Sequence, residues 1–449
     1  MVVMSRKTSL IILILTSLAV HFAFFGHPKE TVFDEVHFGK FVSAYYTHEY
    51  YFDIHPPGGK LIIAGFAKLF NFSPEYSFAE IGQQFPDHKY LALRFLPSLA
   101  GTLLPIVIYL LALGLGFSLM ASFSAGMLVA LENALLTQSR YLLLDPFLLL
   151  FGFSALLFYV IYRRTNRLPY LFLMAIAGGL AMSIKWTGLT FLGMAGVIEL
   201  WNTARTISLK RIINLIIYFT LTPLVLYFAI FTIHFSLLKN SGNGDAFMTP
   251  EFQSTLNNSS YSSDPTIKPL NDFQKFIELN KEMYTANKTL TATHPYSSKW
   301  YTWPLMIRPI YYWNNASNIT PDQEKIYLIG NPLIWWASSV AVLYLLLSLF
   351  GRNFLKEKLP LLLLAGYLIN FLPFIGIGRV MFLYHYLSSL IFAILILVYL
   401  IDTSHRPKTK FLVLILLAIS TFVYFAPLSY GLHLEAKSFQ NHLWLKTWQ

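Results

Sequence analysis

Eleven runs of mostly apolar residues, each of membrane-spanning length, constrain the fold of this chain more than any other feature. They cover roughly 8–25, 95–115, 117–136, 142–162, 168–184, 186–201, 211–236, 332–350, 359–377, 383–401 and 411–429. A hydrocarbon core about 30 Å thick takes roughly 20 apolar residues per helix, and the backbone amides of a spanning segment must be satisfied internally. The expected architecture is an all-α polytopic membrane protein with about eleven transmembrane helices. Only 12% of the residues are charged, against about 25% in soluble domains, which excludes an ordinary soluble enzyme. With 55% hydrophobic residues, a disordered chain is excluded too. Lys185 and Trp186 sit where the 168–201 stretch would turn, so it reads as two helices or as one kinked helix.

The formal net charge of +11 raises the question of nucleic acid or anionic lipid, and the placement of the charges answers it. With the N-terminus cytosolic, the basic excess falls in short inner segments, as the positive-inside rule requires. Arg6 and Lys7 precede the first run; Arg163, Arg164 and Arg167, then Arg205, Lys210 and Arg211, follow later ones. Arg352, Lys356 and Lys358, then Arg406, Lys408 and Lys410, complete the set, with Glu357 and Asp402 nearly the only acids among them. Basicity is thus a topology signal, and no nucleic-acid partner is expected. Residues 1–25 read as a retained signal-anchor helix, because no small-residue cleavage site follows the apolar run. The whole of 1–449 reads as one domain with two long outer segments, 26–94 and 237–331. The second carries eight basic and eight acidic residues and is rich in Asn, Ser and Thr; a helix is expected near 271–286.

Ionisable groups near a bilayer are expensive and point to function. Here they gather at the outer side: Asp34, Glu35, His37, Asp53 and His55 in the first outer segment, then Glu132, Arg140, Asp145, Lys185, His294, Lys299, Arg308, Arg379 and His385. Groups from at least five regions converge there, which implies a polar cavity. Each has a structural explanation as well. Asp34 and Glu35 suit a helix start, His55 precedes two prolines that shape a turn, Arg140 lies within reach of an ion pair with Asp145, and Lys185 can snorkel. Trp300, Tyr301, Trp303, Tyr311, Tyr312 and Trp313 suit an interfacial belt. The chain has no cysteine, which removes thiolate chemistry and Cys-ligated metals. HExxH, DxD, GxSxG, GxGxxG and Walker patterns are absent from the sequence. No cofactor and no metal are expected.

FDEVHFGKF at 33–41 and YFDIHPPGGKL at 51–61 resemble the first outer loop of the protein O-mannosyltransferases, members of the GT-C class of membrane glycosyltransferases. SRYLLLDPFLLLF at 139–151, SIKWTGL at 183–189, HPYSSKWYTWPLMIRPIYY at 294–312, GNPLIWW at 330–336 and RVMFLYHYL at 379–387 are similar to further blocks of that family, in order. One departure concerns the second outer segment: fungal and animal members carry a large β-trefoil insertion there, and this chain resembles the shorter bacterial or archaeal branch, which lacks it. The resemblance implies inverting transfer of mannose from a polyprenyl-phosphate donor to Ser or Thr hydroxyls of proteins, at the outer face of the plasma membrane and in contact with membrane lipids. It implies that Asp34 is the base, that Glu35 orients the acceptor or pairs with a cation such as Arg140, and that His37, Asp53, His55 and Pro56 form the acceptor side. Arg140, Lys185, Arg308 and Arg379 are the expected donor-phosphate cations. Arg140 alternatively neutralises Glu132 or Asp145. Trp186, His294, Trp300 and Trp303 are candidates for a sugar or lipid groove. Competing expectations are a GT-C enzyme moving another lipid-linked sugar onto lipid, as the aminoarabinose transferases do, and a transporter.

The distribution of Lys and Arg generates a direct topological expectation. In this cysteine-free chain, Ser260→Cys should react with a membrane-impermeant thiol reagent in intact cells, and labelling that required permeabilisation would invert the assignment.

Overall fold

The computed structural model describes residues 5–206, 208–289, 291–315, 323–349 and 357–449. Arg352 and Lys356, counted above among the inner basic residues, lie outside the described residues. In chain order the helices are α1 (Arg6–Phe22), α2 (Glu35–Thr47), α3 (Gly58–Lys68), α4 (Tyr90–Leu115), α5 (Leu119–Ala130), α6 (Asn133–Ser139), α7 (Asp145–Thr165), α8 (Leu168–Ile184) and α9 (Leu189–Thr206). They continue with α10 (Leu209–Leu215), α11 (Thr222–Leu237), α12 (Pro250–Gln253), α13 (Asp272–Thr289), α14 (Pro332–Ser348), α15 (Lys358–Phe371), α16 (Leu387–Asp402), α17 (Pro407–Tyr430) and α18 (Ala436–His442). Every one of the eleven apolar runs falls on a helix or on adjoining helices, and α13 occupies the place expected for the outer helix.

Among the described residues six helical segments are long and apolar enough to cross a membrane: Tyr90–Leu115, Asp145–Thr165, Leu209–Leu237, Lys358–Gly376, Leu383–Asp402 and Pro407–Tyr430. The pair α5 and α6, bent by 57°, would make a seventh. Polar caps set several boundaries. Ser5 accepts from the Thr8 amide at the start of α1, Ser118 from Ala121 at α5, Glu132 from Leu135 at α6 and Asn331 from Ile334 at α14. Each such cap satisfies an amide that has no partner within its helix.

Helices α14, α15, α5 and α17 pack around the nearly encased α16, in which Leu390 to Ile396 are at most 2% exposed, while α4 packs on α5 and α7, and α7 on α8. The fold is not purely helical. β1 (Ile310–Asn314), β2 (Gln323–Leu328) and β3 (His433–Leu434) form an antiparallel sheet in the order β1-β2-β3, with a bulge between Tyr311 and Trp313. The aromatic run of β1, taken from sequence as an interfacial belt, supplies β-favouring side chains that are largely buried.

The 168–201 stretch is two helices. Lys185 has extended backbone (φ −148°, ψ 146°), and a 3-10 turn over Trp186–Gly188 leads into α9. Gly188 packs directly on the end of α8: a Cβ there would lie 2.3 Å from the carbonyl carbon of Ala181 and 2.4 Å from its oxygen. Backbone cannot yield as a side chain can. Gly188→Ala should therefore cost about 1–3 kcal/mol by overpacking and lower the melting temperature in detergent, whereas an unchanged melting curve would contradict this packing.

Candidate active site

The two acids at the start of α2 face different surroundings. Successive side chains near a helix start diverge by about 100°, so one can point inward while its neighbour does not. Glu35 is buried and salt-bridged to buried Arg94: Nε donates to Oε1 at 2.8 Å and Nη2 to Oε2 at 2.6 Å. The amides of Val32 (2.8 Å) and Leu142 (2.9 Å) also donate to this carboxylate. Arg94 uses its remaining N–H groups on the carbonyls of Gly26, Pro28 and Glu30, and its guanidinium lies 5.0–5.4 Å from the ring centroids of Phe85, Tyr90 and Tyr141. The cation for Glu35 is thus Arg94, not Arg140, and Glu35 tethers α2 to α4 rather than facing a substrate.

Asp34, the residue before α2, is half-buried, and among the described residues its carboxylate makes no hydrogen bond or ion pair. Phe33 before it has left-handed backbone (φ 45°) and stacks on Tyr312 at 4.1 Å, fixing the approach. Removal from water pushes the Asp34 carboxyl up to about 7. Lys185 opposes this, while Asp145 and Asp53 reinforce it.

A cavity of about 510 Å³ is lined by His55, Asp145, Lys185, Trp186, Arg379, Tyr384 and His385 among others; Asp34 does not line it but lies within electrostatic reach of two residues that do, Lys185 and Asp145. Lys185 donates to both oxygens of Asp145 at 2.8 and 2.9 Å, and Gln138 donates to Oδ2 at 2.7 Å while accepting from the Tyr312 hydroxyl. Arg379, half-buried at the cavity wall, makes no hydrogen bond or ion pair among the described residues. Trp186 donates to Tyr227, which donates on to Asn280 of α13.

The HPPGGK stretch is built by packing as much as by chemistry. A Cβ on Gly58 would lie 2.7 Å from the Ser183 carbonyl oxygen, and one on Gly59 would lie 2.8 Å from Leu144 Cδ2. Both glycines therefore let α3 dock beside the turn that carries Lys185. Buried Lys60 pairs with Asp53 and donates to the His55 carbonyl at 2.9 Å, which holds the loop. Burial, together with the charges of Lys185, Arg379 and Lys60, pushes His55 well below its usual range and keeps it neutral.

Several expected site residues lie elsewhere. Arg140 reaches neither the cavity nor a carboxylate. It donates to the carbonyls of His21, Ala23 and Phe24 and packs over Tyr430 at 4.5 Å, joining the end of α1 to α6. Glu132 is a cap, accepting from Leu135 and, at 2.6 Å, from Asn331. Asp145 pairs with Lys185 instead of Arg140. Arg308 donates to the carbonyls of Pro295 and Thr447. Trp303 is fully buried against Phe374 and His385, Trp300 packs on Phe371, and His294 on Phe382; none of the three lines the cavity. His37 is exposed on α2. Pro56 is buried in the turn before α3. Sequence reasoning missed Arg94, Gln138, Asn370 and Asn287. Arg94 lies within an apolar helix, a position that should itself have drawn notice. Among the described residues no three His, Asp or Glu side chains converge so as to hold a metal ion.

Comparison with known proteins adds the following. A family model described as dolichyl-phosphate-mannose-protein mannosyltransferase matches residues 11–239, and a second, the C-terminal four TMM region of protein-O-mannosyltransferase, matches 272–448. Dolichyl-phosphate-mannose–protein mannosyltransferase 4 of Saccharomyces cerevisiae is 35% identical over 277 residues, covering 56% of this chain and 36% of that protein. Protein O-mannosyltransferase 1 of Drosophila melanogaster is 35% identical over 261 residues, covering 54% and 29%. The match thus spans about a third of the length of these relatives. The S. cerevisiae Pmt1-Pmt2 complex bound to the sugar donor superposes with TM-score 0.90 over 100% of this chain and 93% of that one, at 22% identity. ArnT from Cupriavidus metallidurans bound to undecaprenyl phosphate does so with TM-score 0.53 over 91% and 63%, at 13% identity. Both superpositions show a shared fold of the GT-C type.

The Arg94–Glu35 pair yields a stability expectation. Arg94→Met strands a buried carboxylate and should cost about 3–5 kcal/mol, read as a large loss of detergent thermostability. Adding Glu35→Gln should restore part of it, and failure of the second change to help would dismiss the pair as the cause.

Proposed function

The chain belongs to the protein O-mannosyltransferase family, and from that premise we propose that it transfers mannose, with inversion, from a polyprenyl-phosphate-linked donor to Ser and Thr hydroxyls of proteins. The observation that carries this reading is a carboxylate without a hydrogen-bond or ion-pair partner among the described residues, Asp34, within electrostatic reach of Lys185 and Asp145, which line a cavity together with a second cation, Arg379. A Ser or Thr hydroxyl is a weak nucleophile at neutral pH, so a positioned base must take its proton as attack proceeds. An Asp34 carboxyl pushed up to about 7 is a stronger base than an ordinary aspartate and still ionises near neutrality.

The leaving group is a lipid phosphate, on which negative charge grows as the glycosidic bond breaks, and preorganised cations lower that barrier. Lys185 keeps its geometry through Asp145, and Arg379 is uncommitted, so the two together offer net positive charge to a phosphate. Neutral His55, held by Lys60, shapes the acceptor side with Asp53. The apolar wall of the cavity at Ile369, Pro373 and Phe374 suits the first isoprene units, and Trp186 suits the sugar or the chain. With the donor phosphate held by side-chain cations, the reaction proceeds without a metal or other cofactor.

In this reading all eleven apolar segments cross the plasma membrane, residues 26–94 and 237–331 face outward, and the cavity opens to the outer leaflet. The positive-inside distribution of Lys and Arg supports that orientation.

The experiment is transfer by purified protein in lipid, from labelled polyprenyl-phosphate mannose to a Ser/Thr-rich peptide, followed by mass spectrometry. Asp34→Asn should lower turnover about 10²–10⁴-fold while donor binding persists. The base must be ionised to act, so the parent's rate should rise with pH through about 7 and then level. Activity should survive EDTA. Near-normal transfer by folded Asp34→Asn would overturn the role of Asp34.

A further inference from the structure

Helix α13 (Asp272–Thr289) carries two apolar faces, and only one of them is covered by protein. Leu279 and Met283 are buried, and Phe276 packs edge-on to Tyr227, Phe228 and Phe231 of α11. Phe273, Ile277 and Tyr284 are 61%, 50% and 60% exposed. At 100° per residue these three fall within an arc of about 40°, a continuous stripe rather than scattered hydrophobics. Asn280, the polar residue on the same side, accepts from the Tyr227 hydroxyl at 2.6 Å. Exposed Lys281 and Lys288 border the stripe along one edge, while Glu278 and Glu282 lie on the far side, where Glu278 accepts from the amide and hydroxyl of Thr249.

The stripe continues the exposed apolar face of a membrane-length helical segment. The Leu209–Leu237 segment is the least covered of the six membrane-length helices, with Leu224, Val225 and Ile233 more than half exposed, and Phe273 at the start of α13 meets Phe228 of α11 at 6.1 Å. An apolar face bordered by lysines, with acids on the opposite side, is the pattern of a helix lying in the headgroup region. We propose that α13 lies in the bilayer interface, its Phe273–Ile277–Tyr284 stripe immersed among phospholipid acyl chains and Lys281 and Lys288 at headgroup phosphates. A phospholipid surface, rather than a second copy of the chain or a protein partner, is the occupant, because the stripe runs on from the exposed face of a membrane-length helix.

This placement has a consequence for the cavity. Tyr284, Asn287 and Lys288 lie on its rim, and Asn287 donates to the Ile54 carbonyl at 3.0 Å beside His55. Lipid contact along α13 thereby sets the height of the rim at the headgroups, the depth at which a lipid-borne phosphate travels. The inference rests on the chain being an integral membrane protein and not on the sugar transferred.

Single cysteines at 273, 277 and 284, with 282 and 285 as water-side controls, can carry spin labels in this cysteine-free chain. In phospholipid nanodiscs the stripe positions should lose collisions with a water-soluble nickel chelate and retain collisions with oxygen, while 282 and 285 remain open to the chelate. Chelate access at the three stripe positions equal to that at 285 would overturn the proposal. So would protection from both reagents, which would identify a protein partner or a second copy. Labels at three independent positions keep the test decisive if one of them perturbs folding.

Discussion

Buried between aromatic rings, the Arg94 guanidinium has each of its five N–H groups committed, two to Glu35 and three to the carbonyls of Gly26, Pro28 and Glu30. A buried charge is tolerable only when paired and fully hydrogen-bonded, and this one gathers several separate stretches of chain at the start of α2. It fixes the start of α2, ties the 26–30 segment to α4 and, through Glu35 and the Leu142 amide, reaches the turn that precedes Asp145. The direction of Asp34 follows from that anchoring. With Glu35 held inward, the preceding Asp34 side chain stays half-buried, and Phe33, stacked on Tyr312, fixes the backbone that carries it.

Adjacent carboxylates thereby acquire opposite characters. Glu35 is neutralised within the fold, whereas Asp34, half-buried and without a partner among the described residues, binds its proton more tightly than an aspartate in water. The same division recurs among the cations. Lys185 is tethered by Asp145, and Gln138 and Tyr312 steady that carboxylate in turn; Arg379 has no hydrogen-bond or ion-pair partner among the described residues. One pair supplies rigidity and the remaining groups supply available charge, as a preorganised site requires.

Glycine and proline do the placing. Gly58 and Gly59 allow α3 to touch Ser183 and Leu144, and Gly188 lets the chain fold back on Ala181. These close approaches bring the 53–60 loop and the Lys185 turn to the same cavity. Part of what reads in the sequence as a catalytic motif is therefore a docking surface, and Lys60, Pro56 and the glycines belong to that half of it.

The apolar runs were enough, by themselves, to mark where the long helices lie and in what order, because a bilayer admits few alternatives for an uncharged stretch of that length; among the described residues six of the helical segments, or seven with the bent α5–α6 pair, have the length and apolarity of a membrane span. The clustering of Asp34, Asp53, His55, Lys185 and Arg379 was legible because charge is rare in such a chain and conspicuous where it occurs. Pairing was not legible. Arg140 and Arg94 are both arginines near helix ends, and only the packed structure decides that Arg94 takes Glu35 while Arg140 closes three carbonyls at the end of α1. Trp303, Trp300 and His294 looked like groove residues from their aromatic setting, and long-range packing put them into the core or onto neighbouring rings instead. The short sheet also escaped, since its strands pair residues as far apart as Gln323 and Leu434. Local pattern specifies helices, whereas the partner of a side chain depends on which distant segments the fold brings within a few ångströms.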